Sequence, residues 1–133
     1  YRTHAAKLFH TPPVFAVYMI EKVLRWVKGL GGLDAMKTRN DTKAAVLYNR
    51  IDKNDFYRGV ARPDSRSDMN VTFRLPSEDL EAEFIAEAKN EGLLALKGHR
   101  SAGGVRASIY NACPPEGVDA LVSFMNSFEA NRG

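Results

Sequence analysis

Hydrophobic spacing first changes period near the middle of this chain, and the change limits the folds open to it. Between Val14 and Ile51 apolar residues recur at helical steps; from Asn70 they alternate, with Val71, Phe73 and Leu75 on one side and Asn70, Thr72 and Arg74 on the other. A helical period followed by a period of two predicts helices first and a half-buried strand afterwards. Thr11 is placed to cap the first helix, with Pro12 and Pro13 in its first turn, and Val14, Phe15, Tyr18, Val23, Trp26, Val27 and Leu30 follow. These apolar groups cover much of the circumference, as expected of a helix buried on more than one side. Gly29, Gly31 and Gly32 end it. A second, amphipathic helix runs from Leu33 to Ile51, with Leu33, Met36, Asn40, Ala44, Leu47 and Ile51 inside and Lys and Arg outside.

Residues 52–68 are rich in Asp, Arg and Ser, which predicts a loop or hinge. Pro76 stops the strand that begins at Asn70. Ser77 then caps a helix with Glu78 and Asp79 in its first turn and Leu80, Phe84, Ile85 and Ala88 on its buried face. Short strands are predicted at Leu93–Lys97 and Val105–Tyr110. Pro114-Pro115-Glu116 opens a last helix that buries Val118, Leu121, Val122, Met125 and Phe128. The fold class is α/β of the α+β type: a small, mainly antiparallel sheet with helices on one face, like most of a split βαβ unit, preceded by a helical hairpin. Residues 1–32 read as a connector and interface helix, and residues 33–133 as a small domain.

Between the last two predicted strands lies Lys97-Gly98-His99-Arg100-Ser101-Ala102-Gly103-Gly104-Val105-Arg106. Arg presents a planar fork of donors that suits carboxylate or phosphate, His adds a donor, and Gly lets backbone N–H groups approach a ligand. Two readings stand: an anion site for a doubly anionic small molecule, or a glycine-rich turn with solvated basic residues. If Val105 begins a strand, Arg100 and Arg106 need not share a face. Thr11 likewise has two readings, a helix cap or a hydroxyl gripping a phosphate at a helix N-terminus.

Composition narrows the function classes. At 133 residues with 44% hydrophobic and 26% charged, the chain can bury a core, and no apolar run is long enough to span a membrane. The formal net charge of +3 is mild and its cations are scattered, which argues against a nucleic-acid grip. One cysteine, Cys113, excludes an intrachain disulfide and fits a reducing cytoplasm; it reads as a small buried core residue with no role. His4, His10 and His99 have no partners at ligand spacing, so a metal site is not expected. The start at Tyr1, without an initiator methionine or a signal-peptide layout, reads as a piece of a longer chain.

Five runs, in order, carry a family resemblance: Thr11-Pro12-Pro13-Val14-Phe15, Met69-Asn70-Val71, Leu96-Lys97-Gly98-His99-Arg100, Gly103-Gly104-Val105-Arg106-Ala107-Ser108-Ile109-Tyr110-Asn111-Ala112, and Glu116-Gly117-Val118. They resemble the C-terminal part of the phosphoserine aminotransferase family. The resemblance implies a fold-type I, class V aminotransferase, a homodimer dependent on pyridoxal 5'-phosphate. Such enzymes interconvert 3-phosphohydroxypyruvate plus glutamate with phosphoserine plus 2-oxoglutarate in serine biosynthesis, and serve pyridoxine biosynthesis in some bacteria. It implies that Arg106 holds the substrate carboxylate and that His99 and Arg100 reach a phosphate in the neighbouring subunit's site. Thr11 would contact the cofactor phosphate, with His10 standing where the family has asparagine. No lysine here matches the one that carries the cofactor, so the resemblance implies no catalytic residue in this stretch and an inactive isolated chain. A non-catalytic small-molecule-binding regulatory domain of split βαβ type, or an interaction module using the apolar first helix, are the rival readings.

Overall fold

The structure, a computed structural model, describes residues 11–132 and divides between Met36 and Lys37 into two compact units. The first unit contains α1, Val14–Gly29. Thr11 does not cap it. The cap position belongs to Pro13, no side chain closes it, and the Pro12 carbonyl accepts the Val14 N–H at 2.8 Å. The reason lies in the tandem prolines: Pro13 pushes Pro12 out of the helical region, so the helix starts only beyond them. Within α1 Val27 is buried, whereas Phe15 is 76% and Leu24 60% exposed. Gly31 and Gly32, at φ +101° and +85°, carry the turn into α2, Gly32–Ile51.

The second unit holds the remaining elements: β1 (Arg58–Gly59), β2 (Asn70–Arg74), α3 (Glu78–Asn90), β3 (Val105–Ser108) and α4 (Pro115–Arg132). The sheet is three-stranded, in the order β1-β2-β3 and antiparallel throughout. Alternation decides its faces. Val71, Phe73, Val105 and Ala107 point inward, while Asn70, Thr72, Arg74, Arg106 and Ser108 form a half-buried polar face. Register places Asn70 opposite Ser108 and Thr72 opposite Arg106.

One core joins the inward face to the helices. Phe84 of α3 is its centre, edge-on to Phe73 at 5.9 Å, to Phe124 at 4.9 Å and to Phe128 at 5.1 Å. Such pairs combine large apolar burial with favourable ring geometry. Ala44, Leu47 and Ile51 of α2 and Val118, Leu121 and Met125 of α4 complete the core, with Val122 only half-buried. Ser77 accepts the Leu80 N–H at 3.2 Å, the cap predicted for α3.

Three further expectations about the second unit's elements need correction. The stretch 52–68 is not a free loop: Tyr57 is fully buried, Arg58–Gly59 pairs with β2, and Arg66 grips Asp52 through two bonds of 2.5 and 2.7 Å while stacking on Tyr48. The strand at Leu93–Lys97 shrinks to a single bridge, Lys97 to Val105, because Ala95 takes φ +61° and breaks the extended run. Finally, two cations of α2 are inside rather than outside. Lys43 donates to the carbonyls of Ile109, Tyr110 and Cys113 at 3.0, 2.7 and 3.1 Å, and Arg50 pairs with Glu129 of α4.

Candidate functional site

The loop after the Lys97 bridge is built by backbone bonds that only glycine allows. The Gly98 N–H donates to the Gly104 carbonyl at 2.8 Å, and a side chain on Gly98 would meet the Gly103 carbonyl oxygen at 2.0 Å. The His99 carbonyl accepts the N–H groups of Ala102 and Gly103 at 2.9 and 2.8 Å, closing a tight turn. Gly103 and Gly104 then sit at φ +68° and +71°, in the left-handed region. The Arg106 N–H donates to the Leu96 carbonyl at 2.8 Å and ties the loop's two ends together.

His99 and Arg100 lie at the exposed tip. The Ser101 backbone N–H points at His99 Nδ1 at 3.3 Å, and the Ser101 hydroxyl lies 2.7 Å from the same atom. The backbone N–H donates in the first of these contacts, and the ring's other nitrogen, Nε2, makes no hydrogen bond among the described residues. Arg100 makes no hydrogen bond or ion pair among the described residues. Both residues line a concavity of about 480 Å³, together with Arg74, Glu78, Glu81 and Lys97. Uncommitted donors around a concavity suit an anion with several acceptor oxygens, such as a phosphate.

Arg106 is placed elsewhere, on the polar face of β3, and is not among the residues lining that concavity. Its Nε is buried with no hydrogen-bond partner. Such an orphan donor costs stability unless something outside the described residues accepts from it, and a carboxylate suits it. Beside it, Asn70 Oδ1 accepts from the Ser108 hydroxyl at 3.3 Å and the Tyr110 hydroxyl at 3.2 Å. Thr11 is exposed, ahead of α1 in the first unit. His10 lies outside the described residues, as does His4.

Sequence reasoning missed Arg74, Glu81 and Lys43. Arg74 on β2 donates to Glu81 at 3.1 Å and to the Ala102 carbonyl. Its position at the outward end of an alternating strand was visible; its reach across the loop was not. Lys43 supports the turn after β3, which carries the run to Asn111, and Asn40 bonds Asn111 at 2.7 Å. Burial pushes the Lys43 pKa down from the ordinary lysine value. Cys113 is half-buried rather than buried. Among the described residues, no group of His, Cys, Asp or Glu could hold a metal, and no helix is long and apolar enough to cross a membrane.

Comparison with known proteins finds relatives along nearly all of this chain. The family model for aminotransferase class-V matches residues 2–121. A phosphoserine aminotransferase of Herpetosiphon aurantiacus is 57% identical over 100% of this chain and 38% of its own length. The solved structure of phosphoserine aminotransferase from Bacillus circulans subsp. alkalophilus matches with a TM-score of 0.90 at 52% identity, over 94% of this chain and 35% of its own. A pyridoxal-phosphate-bound phosphoserine aminotransferase from Trichomonas vaginalis matches with a TM-score of 0.82 at 42% identity, over 90% and 34%. The chain thus spans little more than a third of the length of the relatives it matches.

Proposed function

The chain belongs to the aminotransferase class-V family, and from that premise we propose that it is the C-terminal part of a pyridoxal-phosphate-dependent phosphoserine aminotransferase. In this reading the full-length homodimer exchanges amino groups between phosphoserine and 2-oxoglutarate, giving 3-phosphohydroxypyruvate and glutamate. It acts in the cytoplasm, in serine biosynthesis and, in some bacteria, pyridoxine biosynthesis. Residues 1–32 are its connector and interface helix and residues 33–133 its small domain. The observation that carries the reading is the loop tip, where His99 Nε2 and the Arg100 guanidinium stand exposed and uncommitted on a glycine-built turn.

The residues divide the substrate between them. His99 and Arg100 bind the phosphate, Arg supplying a fork for two oxygens and His a single donor. Their place is the neighbouring subunit's site. Arg106, held at a fixed point of β3, takes the α-carboxylate that all substrates share, and its orphan Nε is the donor the ligand would satisfy. Pyridoxal phosphate, when bound, supplies the electron sink that lets an amino group be exchanged for a keto oxygen. Its phosphate suits the start of α1 in this reading, because Thr11 offers an exposed hydroxyl just ahead of a helix N-terminus that no side chain caps. Thr11 would hold that phosphate, with His10 beside it in sequence.

Kinetics of the full-length enzyme test the division. Arg100→Ala should raise the KM for phosphoserine about tenfold or more while leaving that for glutamate within about twofold, because a charge-assisted pair to phosphate is lost. Arg106→Ala should weaken both substrates alike. Equal loss for glutamate and phosphoserine with Arg100→Ala would sink the assignment.

A further inference from the structure

We propose that Arg74 is a positioning residue for the phosphate-recognition loop, clamping its tip to α3 through Glu81; the inference rests on the reading of His99 and Arg100 as phosphate ligands. The loop's own bonds close its base and its turn: Gly98 to Gly104, and Ala102 and Gly103 to His99. They do not fasten the turn to the body of the unit. Arg74 supplies that fastening. One guanidinium nitrogen donates to the Ala102 carbonyl, and another donates to Glu81 at 3.1 and 3.4 Å.

The stem of Arg74 fits the same purpose. A side chain on Gly103 would meet the Arg74 guanidinium at 3.0 Å, and one on Gly104 would meet its Cδ at 3.0 Å. The two glycines therefore leave room for Arg74 to lie flat across the loop, and packing adds to the hydrogen bonds. Glu81 is a firm anchor. It is 7% exposed, follows the Ser77 cap by one helical turn, and also accepts the Leu75 N–H at 3.4 Å. Strand β2 and helix α3 thus hold one end of a bridge whose other end is the loop carbonyl two residues beyond Arg100.

The chemistry explains why arginine serves here. A planar fork can satisfy acceptors in two directions at fixed geometry, whereas an ammonium on a flexible stem cannot hold both with the same definition. Pairing with Glu81 also neutralises Arg74, so a phosphate is left to His99 and Arg100 rather than drawn inward. A ligand contact is worth most when its donors are held near the productive geometry before binding. Loosening the bridge should therefore weaken the phosphorylated substrate selectively, although Arg74 need not touch it.

The test uses the full-length dimer with Arg74→Met, Arg74→Lys and Glu81→Gln. Arg74→Met should raise the KM for phosphoserine about tenfold while the KM for glutamate and kcat stay within about twofold. Arg74→Lys should recover part of the loss. Hydrogen–deuterium exchange of residues 97–104 should quicken about tenfold in Arg74→Met and in the nearly isosteric Glu81→Gln, with β2 and β3 unchanged. A merely structural role would shift both substrates together. Unchanged exchange in the loop, or an equal rise for glutamate, overturns the proposal. Absence of phosphoserine turnover in the wild-type enzyme would overturn the functional reading instead; exchange would still decide whether Arg74 holds the loop.

Discussion

Individual cations in this chain do different work according to where their partners lie. Arg66 pairs with Asp52, and the bonded guanidinium holds that carboxyl below its ordinary range. A depressed carboxylate stabilises the folded state above its unfolded pKa, and the contribution is lost as pH falls through the lowered folded value. Arg66→Met should therefore lower Tm at neutral pH and have a much smaller effect in strong acid, where the native pair is already broken. A Tm deficit that stays constant across that range in a thermal-denaturation series would contradict this role. Lys43 and Arg50 show why residue roles were only partly legible. At helical spacing both resemble solvated surface cations, yet their acceptors lie 66 residues onward at Ile109 and 79 onward at Glu129. No local pattern announces such a partner. Residue type marked Arg106 as a candidate anion ligand, but that its Nε is buried without a partner could be read only from the sheet.

Two elements with a strong local signal, β2 and α3, were read correctly from residue order, whereas the cap expected at Thr11 was not formed. Alternation identified β2, and Ser77 followed by acids identified the start of α3. Where the signal was weak, backbone geometry decided. The expected strand at Leu93–Lys97 failed at Ala95, and the two-residue β1 was hidden because pairing with β2, not propensity, creates it. The loop between Lys97 and Val105 belongs to this scale as well. Gly98→Ala should cost about 2 kcal/mol, as overpacking against the Gly103 carbonyl forces the turn open. Urea unfolding measures the cost, and a loss below about 0.5 kcal/mol would mean the turn has another closed form.

At the scale of the molecule, α1 is the feature that most sets behaviour. Phe15, Val17, Ile20 and Leu24 are all more than half exposed, a density of apolar surface that favours association. The 133 residues by themselves should therefore self-associate as concentration rises, seen by light scattering, and should show no turnover with glutamate and added pyridoxal phosphate. Clear turnover by this chain alone would refute the reading of it as part of a larger enzyme. The core of the second unit has its own dependence on α4. Phe128 packs on Phe84, the Tyr57 hydroxyl donates to the Met125 carbonyl at 2.9 Å, and Glu129 neutralises Arg50. During synthesis, α2, the sheet and α3 leave the ribosome before these partners do. Their apolar faces then have no cover, and Arg50 no counter-charge, until the last helix emerges from the exit tunnel. A nascent chain stalled ahead of α4 thus exposes the apolar surface that chaperones bind, and completion of this unit's fold waits on that helix.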